Sequence, residues 1–158
     1  MGGARSRCVL QAPFGWLVLT LDGGRLISLD IGARRPKLSD CSVLPGARAI
    51  ARELESYLCD PGYRPAVPVL WTGTVFQRRV WRMLRCIPSG ATRTYGQLAR
   101  ALDTSARAVG QACGANPLPV LIPCHRVVAE QGLGGYSAGP GIASMRIKHW
   151  LLHHEGAL

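Results

Sequence analysis

The chain has 158 residues, 19 of them basic and 9 acidic, for a formal net charge of +10. That length suits one compact domain or two small ones, and it buries a core without covalent staples. No stretch approaches the roughly 20 apolar residues of a membrane-spanning helix, and the charge favours a polyanionic partner through release of counterions condensed on phosphates, although a basic surface also serves solubility alone.

The first part reads as strands followed by a helix. Cys8-Val9-Leu10, Trp16 to Leu21 and Leu26 to Ile31 are short runs rich in branched and apolar residues. Pro13-Phe14-Gly15 and Asp22-Gly23-Gly24 between them are turn signals, which predicts a small antiparallel meander. Arg34-Arg35-Pro36-Lys37 is a polar loop. Ala47 to Leu58 places Ile50, Leu54, Tyr57 and Leu58 on one helical face, and Asp60-Pro61-Gly62 stops it. Pro61 to Pro68 reads as a linker, which sets domains of 1–70 and 71–158. Nothing catalytic gathers in the first, so it reads as scaffold.

Met1 to Arg7 is basic, but Trp16 to Leu21 is too short for the core of a secretory leader. A cytoplasmic setting is therefore expected, with Cys8, Cys41, Cys59, Cys86, Cys113 and Cys124 as reduced thiols. No Cys-x-x-Cys occurs and all four histidines lie at or beyond His125, so no metal site is expected.

The second part is denser in signals. Thr74-Val75-Phe76-Gln77 fits a capping box opening a helix with Phe76, Val80, Leu84 and Ile87 on one face and Arg78, Arg79, Arg82 and Arg85 elsewhere. Pro88-Ser89-Gly90 ends it. Thr94-Tyr95-Gly96-Gln97 is a second capping box, heading a short helix through Leu98, Ala99 and Leu102. After Asp103-Thr104-Ser105 another helix runs from about Ala106 to Cys113. Two short helices joined by a tight turn in a basic chain predict a helix-turn-helix. Its second helix offers mostly small residues and one long cation, Arg107, whereas major-groove readers present several long polar side chains. By spacing alone that helix is equally an alanine-rich packed helix with a solvated arginine.

Pro123-Cys124-His125-Arg126-Val127-Val128 follows the apolar run Leu118 to Ile122 and precedes the glycine-rich run Gly132 to Tyr136. A thiol needs a base or a positive field to become the reactive thiolate. Cys-His alone is a weak signal, because free cysteines are among the most buried residues. The series around it is specific. Gly73-Thr74-Val75-Phe76-Gln77, Val80-Trp81, Ile87-Pro88-Ser89-Gly90, Thr94-Tyr95-Gly96-Gln97-Leu98-Ala99, Arg107-Ala108-Val109-Gly110, Asn116-Pro117, Ile122 to Val128, Gly135-Tyr136-Ser137 and Trp150 to Gly156 stand in order. In that order, residues 73–156 resemble the O6-alkylguanine-DNA alkyltransferases. Residues 1–70 resemble the family's N-terminal domain in size and pattern only.

The resemblance implies an α+β fold: a small N-terminal antiparallel sheet with a helix, RNase H-like, and a mainly helical, winged-helix-like C-terminal domain carrying the helix-turn-helix. It implies irreversible, single-turnover transfer of an alkyl group from guanine O6 (or thymine O4) to the protein's own Cys124, in a flipped base. His125 would take the thiol proton through a water and Glu155 would hold the imidazole. Tyr95 would donate to the leaving guanine, and Asn116 would be the hinge between recognition helix and active-site loop, an Asn-Pro pair that is otherwise a plain turn. Val127, Val128, Gly135, Tyr136 and Ser137 would line the base pocket. Arg107 would fill the vacated stack, while Thr94, Tyr95, Ala106, Ala108 and Gly110 meet the minor groove. The partner implied is double-stranded alkylated DNA; no cofactor, metal or protein partner is implied, and a monomer suffices.

Two departures from the family pattern stand out: the Tyr95–Arg107 connection is shorter, and Tyr136 to Lys148 is longer, with Pro140-Gly141-Ile142-Ala143-Ser144 inserted near the pocket. Three rivals leave part of the series idle. A helix-turn-helix regulator has no use for Cys124-His125, a lesion-binding relative without repair activity carries tryptophan at the cysteine, and a cysteine hydrolase does not need the small-residue helix.

Overall fold

A computed structural model describes residues 3–134 and 141–158, the side chains of 141–144 excepted. The chain is mixed α and β and divides into two compact units, Met1–Thr72 and Gly73–Leu158.

In the first unit, β1 (Arg5–Ala12), β2 (Gly15–Asp22) and β3 (Arg25–Gly32) form an antiparallel meander in sequence order. Asp22 pairs with Arg25 across Gly23-Gly24, whose φ of 57° and 79° suit the two left-handed positions of a tight hairpin turn. The strands run beyond the apolar runs that announced them, because polar flanks such as Arg5 and Asp22 also pair. α1 (Arg48–Cys59) buries Ile50, Ala51, Leu54 and Tyr57; Leu58 is only half-buried.

Two expectations need correction here. Cys8 and Cys41 form a disulfide, while the other four cysteines are free. The parallel bridge Val9–Asp40 and the Val9 N–H to Ser39 C=O bond bring both cysteines, fully buried, to a Cα separation of 4.9 Å. A cysteine count cannot reveal that proximity. The proline-rich stretch expected as a linker is strapped down within the first unit. Glu53 accepts from the Tyr63 hydroxyl and the Ala66 N–H. Leu26 bridges Val69 along the outer edge of β3, donating to the Pro68 C=O and accepting from the Leu70 N–H. Hydrogen bonds of this kind leave no mark on composition.

In the second unit, α2 (Val75–Arg85) starts at the expected capping box. Thr74 Oγ1 accepts from the Gln77 N–H at 3.1 Å and Gln77 Oε1 from the Thr74 N–H at 2.9 Å. α2 buries Val80, Trp81 and Leu84, and the Trp81 indole N–H donates to the Ala112 carbonyl at 2.8 Å. β4 (Arg93–Thr94) leads straight into α3 (Tyr95–Leu102), whose capping box pairs Thr94 with Gln97. Asp103 then adopts a left-handed conformation at φ 52°, and Ser105 caps α4 (Ala106–Gly114) through the Ala108 N–H. Two short helices joined by a tight turn therefore form as expected. Its first helix is positioned by the parallel pairing of β4 with β5 (Val127–Val128). α5 (Gly141–His154) is the last helix of this unit. Among the described residues, no helix is long and apolar enough to cross a membrane.

Candidate active site

The loop after α4 is built around one side chain. Asn116 Oδ1 accepts the Leu118 N–H at 2.9 Å, while its Nδ2 donates to the Ile122 C=O at 2.8 Å and to Cys124 Sγ at 3.2 Å. The carboxamide thus closes the loop and touches the thiol. Between its anchors Val120 sits at φ 76°, a region a β-branched residue enters at a cost of about 1–3 kcal/mol. The strain falls within the segment that delivers the cysteine. Cys124 opens a short 3-10 turn through Arg126 and is 3% exposed.

His125, beside it, is fully buried. Its Nε2 lies 2.9 Å from Glu155 Oε1, so with the carboxylate ionised the imidazole carries its proton on Nε2. Nδ1 keeps its lone pair and has no protein hydrogen-bond partner among the described residues. Burial, the largest influence, holds His125 below its ordinary pKa against the opposing pull of Glu155, so the neutral base form prevails. Glu155 also takes a fork from Arg126: Nε to Oε2 at 2.9 Å and the terminal nitrogen to Oε1 at 2.7 Å. The other terminal nitrogen of Arg126 donates to the Ile87 C=O at 2.6 Å.

Lys148 of α5 completes the electrostatics. It is fully buried, donates from Nζ to the Val127 C=O at 2.7 Å and lies 5.9 Å from the Tyr95 ring centroid. Burial lowers its pKa to about 8, opposed by the fields of Cys124 and Cys113. At neutral pH it remains a cation that favours thiolate at Cys124. Burial and the neighbouring thiols raise Tyr95 to about 12, so its hydroxyl keeps its proton and can donate. The Cys113 thiol is likewise pushed up to about 12, mainly by burial, which leaves it unreactive.

Sequence reading missed Lys148 and gave Arg126 no task. A signal existed for the first: Lys148 shares the helical stripe of Leu151, Leu152 and Glu155, where a solvated lysine does not belong. Arg126 left none, since its partners lie 29 and 39 residues away.

The structure bonds Asn116 to Cys124 and His125 to Glu155, two pairs meeting at adjacent residues of one turn, with Tyr95 beside Lys148. Val127 is fully buried and Val128 half-buried. Thr94 caps α3, and Ala106 and Arg107 are exposed on the first turn of α4, with Ala108 and Gly110 half-exposed. A Cβ on Gly110 would meet nothing within 4 Å, so packing inside the protein does not require glycine there. Gly135, Tyr136 and Ser137 lie outside the described residues.

Comparison with known proteins then decides the family. Residues 75–157 match the model of the 6-O-methylguanine DNA methyltransferase, DNA binding domain. The chain belongs to that family. It is 36% identical to the methylated-DNA--protein-cysteine methyltransferase of Metallosphaera sedula over 94% of this chain and 91% of that protein. The Salmonella typhimurium protein of the same name is 52% identical over 54% of this chain, and this match spans 49% of its length. The chain thus spans only about half of some curated relatives. The crystal structure of Mycobacterium tuberculosis OGT in complex with DNA superposes with a TM-score of 0.76 at 34% identity, covering 94% of this chain and 92% of that one.

Proposed function

We propose that the protein repairs DNA by direct reversal, moving an alkyl group from O6 of guanine onto Cys124 once per molecule. The observation that carries this reading is the cluster itself: a thiol held by an asparagine donor beside a neutral, carboxylate-anchored imidazole with a free lone pair. Its relatives' names, and the DNA bound to one of them, support the same reading.

The chemistry is a displacement at carbon. The Cys124 proton passes to His125 Nδ1, directly or through a water, and Glu155 stabilises the resulting imidazolium. The thiolate, favoured by Asn116 and Lys148, forms a C–S bond as the C–O6 bond breaks. The O6 electron pair stays on the guanine, which Tyr95 stabilises by donation. No group regenerates the thiol from a thioether, so each molecule acts once. All six side chains come from one chain, and no protein partner is needed for this step.

A stacked base cannot reach the sulfur of a cysteine that is 3% exposed, so the nucleotide must leave the duplex. We assign entry to α4: Ala106, Ala108 and Gly110 allow close approach to a minor groove, and Arg107 fills the gap in the stack. The spare room at Gly110 favours this over internal packing as the reason for small residues. In the same reading the first unit is the RNase H-like scaffold and the second the winged-helix-like, DNA-engaging domain.

Mass spectrometry after incubation with an O6-methylguanine duplex tests the proposal. It should find one added methyl group on the Cys124 peptide and product capped at one equivalent. Cys124→Ala should bind DNA and leave the lesion intact. An unmodified Cys124, or sustained turnover, would sink it.

A further inference from the structure

We infer that Arg126 is a positioning residue for this reaction, one that fixes Glu155 and keeps His125 in its neutral, proton-accepting form. The inference rests on the alkyl-transfer reading and adds a role that reading does not require.

Both carboxylate oxygens of Glu155 accept hydrogen bonds from the turn that carries Cys124. Oε1 accepts from His125 Nε2 and from Arg126, and Oε2 accepts the second tine of the Arg126 fork. A carboxylate bonded to His125 alone could rotate about its terminal torsion and would put its full charge on the imidazole. The fork removes that rotation, since a planar guanidinium matches both oxygens at once. The third arm, to the Ile87 C=O just beyond α2, ties the guanidinium to a second element of the unit. Arg126 therefore joins the ends of α2 and α5 to the turn that carries the nucleophile.

The electrostatic consequence follows from the same contacts. Glu155 alone favours the imidazolium and would raise the pH at which His125 loses its proton. A guanidinium bonded to both carboxylate oxygens offsets that field, and Lys148 acts in the same sense as Arg126. The charged groups facing the ring are Glu155, Arg126 and Lys148. Burial first, and then two cations offsetting one buried anion, leave the ring neutral at physiological pH. The result is an imidazole aimed by a carboxylate without being protonated by it.

The test is the pH dependence of methyl transfer from an O6-methylguanine duplex, measured by mass spectrometry on the full chain. In Arg126→Gln the acid limb should move up by about one pH unit, a roughly tenfold slower reaction below the limb. Arg126→Lys keeps the charge but not the fork, so its limb should return near wild type while its plateau stays low. A uniform loss in both variants, with the limb in place, would overturn the proposal and leave Arg126 a structural tie. Should neither variant fold, nitrogen-15 NMR of wild-type His125 decides the point. Its ring should stay neutral, protonated on Nε2, and take up a proton only below the ordinary histidine value of 6.5; protonation at or above that value would overturn the proposal. Wild-type protein that transfers no methyl group would count against the repair reading instead, and the NMR result would still stand.

Discussion

Asn116→Ala removes three hydrogen bonds with different consequences. Loss of the bonds to the Leu118 N–H and the Ile122 C=O loosens the loop that holds Val120 at positive φ. Each net bond is worth about 0.5–1.5 kcal/mol, so roughly 1–3 kcal/mol of stability should go. Loss of the 3.2 Å donor to Cys124 Sγ acts on the chemistry. A hydrogen bond to a charged group is worth about 1.5–3 kcal/mol, and at 1.4 kcal/mol per pH unit the thiolate should then form about 1–2 pH units higher. The rate profile for methyl transfer should be displaced upward in pH by that amount, making transfer about 10–100-fold slower on its rising limb. Asn116→Asp keeps an acceptor for the Leu118 N–H but sets a carboxylate against the sulfur, and its profile should move further. Quenched-flow transfer followed by mass spectrometry suits the measurement, taken well below pH 8, where Lys148 has lost about half its charge. A folded Asn116→Ala protein whose rate falls by one constant factor, with its profile in place, would refute the assignment of the amide as a thiolate donor.

Other predictions concern access, acid and redox state. Arg107→Ala should slow repair of duplex DNA far more than transfer from a free O6-alkylguanine base, and equal losses on both would remove its stack-filling role. Iodoacetamide should label exposed Cys59 and Cys86 first and buried Cys124 slowly, whereas lesion DNA should modify Cys124 alone; the reverse order would mean the site is open without DNA. Because burial depresses His125, the unfolded chain binds a proton that the folded chain refuses below about pH 6.5, so stability should fall with acid by up to about 1.4 kcal/mol per pH unit. Chemical denaturation of His125→Gln should show a shallower fall, and an unchanged slope would exclude His125 as its source. Reduction of Cys8–Cys41, which closes a span of 33 residues, should cost about 3–4 kcal/mol in the first unit, read as a lower denaturation midpoint in dithiothreitol.

Local chemistry wrote much of this molecule into its sequence. Both capping boxes, the three strands and the helix-turn-helix follow from side chains a few residues apart, and each formed as those residues dictate. Cys124, His125, Glu155 and Asn116 were legible because their ordered spacing is a family signature. What the sequence withheld are relations across distance. The Cys8–Cys41 bond exists because a β-bridge at Val9 sets two buried sulfurs side by side. Lys148 is a buried cation near Cys124 because α5 turns its apolar stripe inward with the lysine on it. Arg126 reads as one more surface charge until folding places Ile87 and Glu155 within reach of a single guanidinium. Periodicity and motif order report neighbours along the chain, whereas a proton's affinity for a nitrogen depends on which charges and how much water surround it. Only the packed tertiary structure sets those.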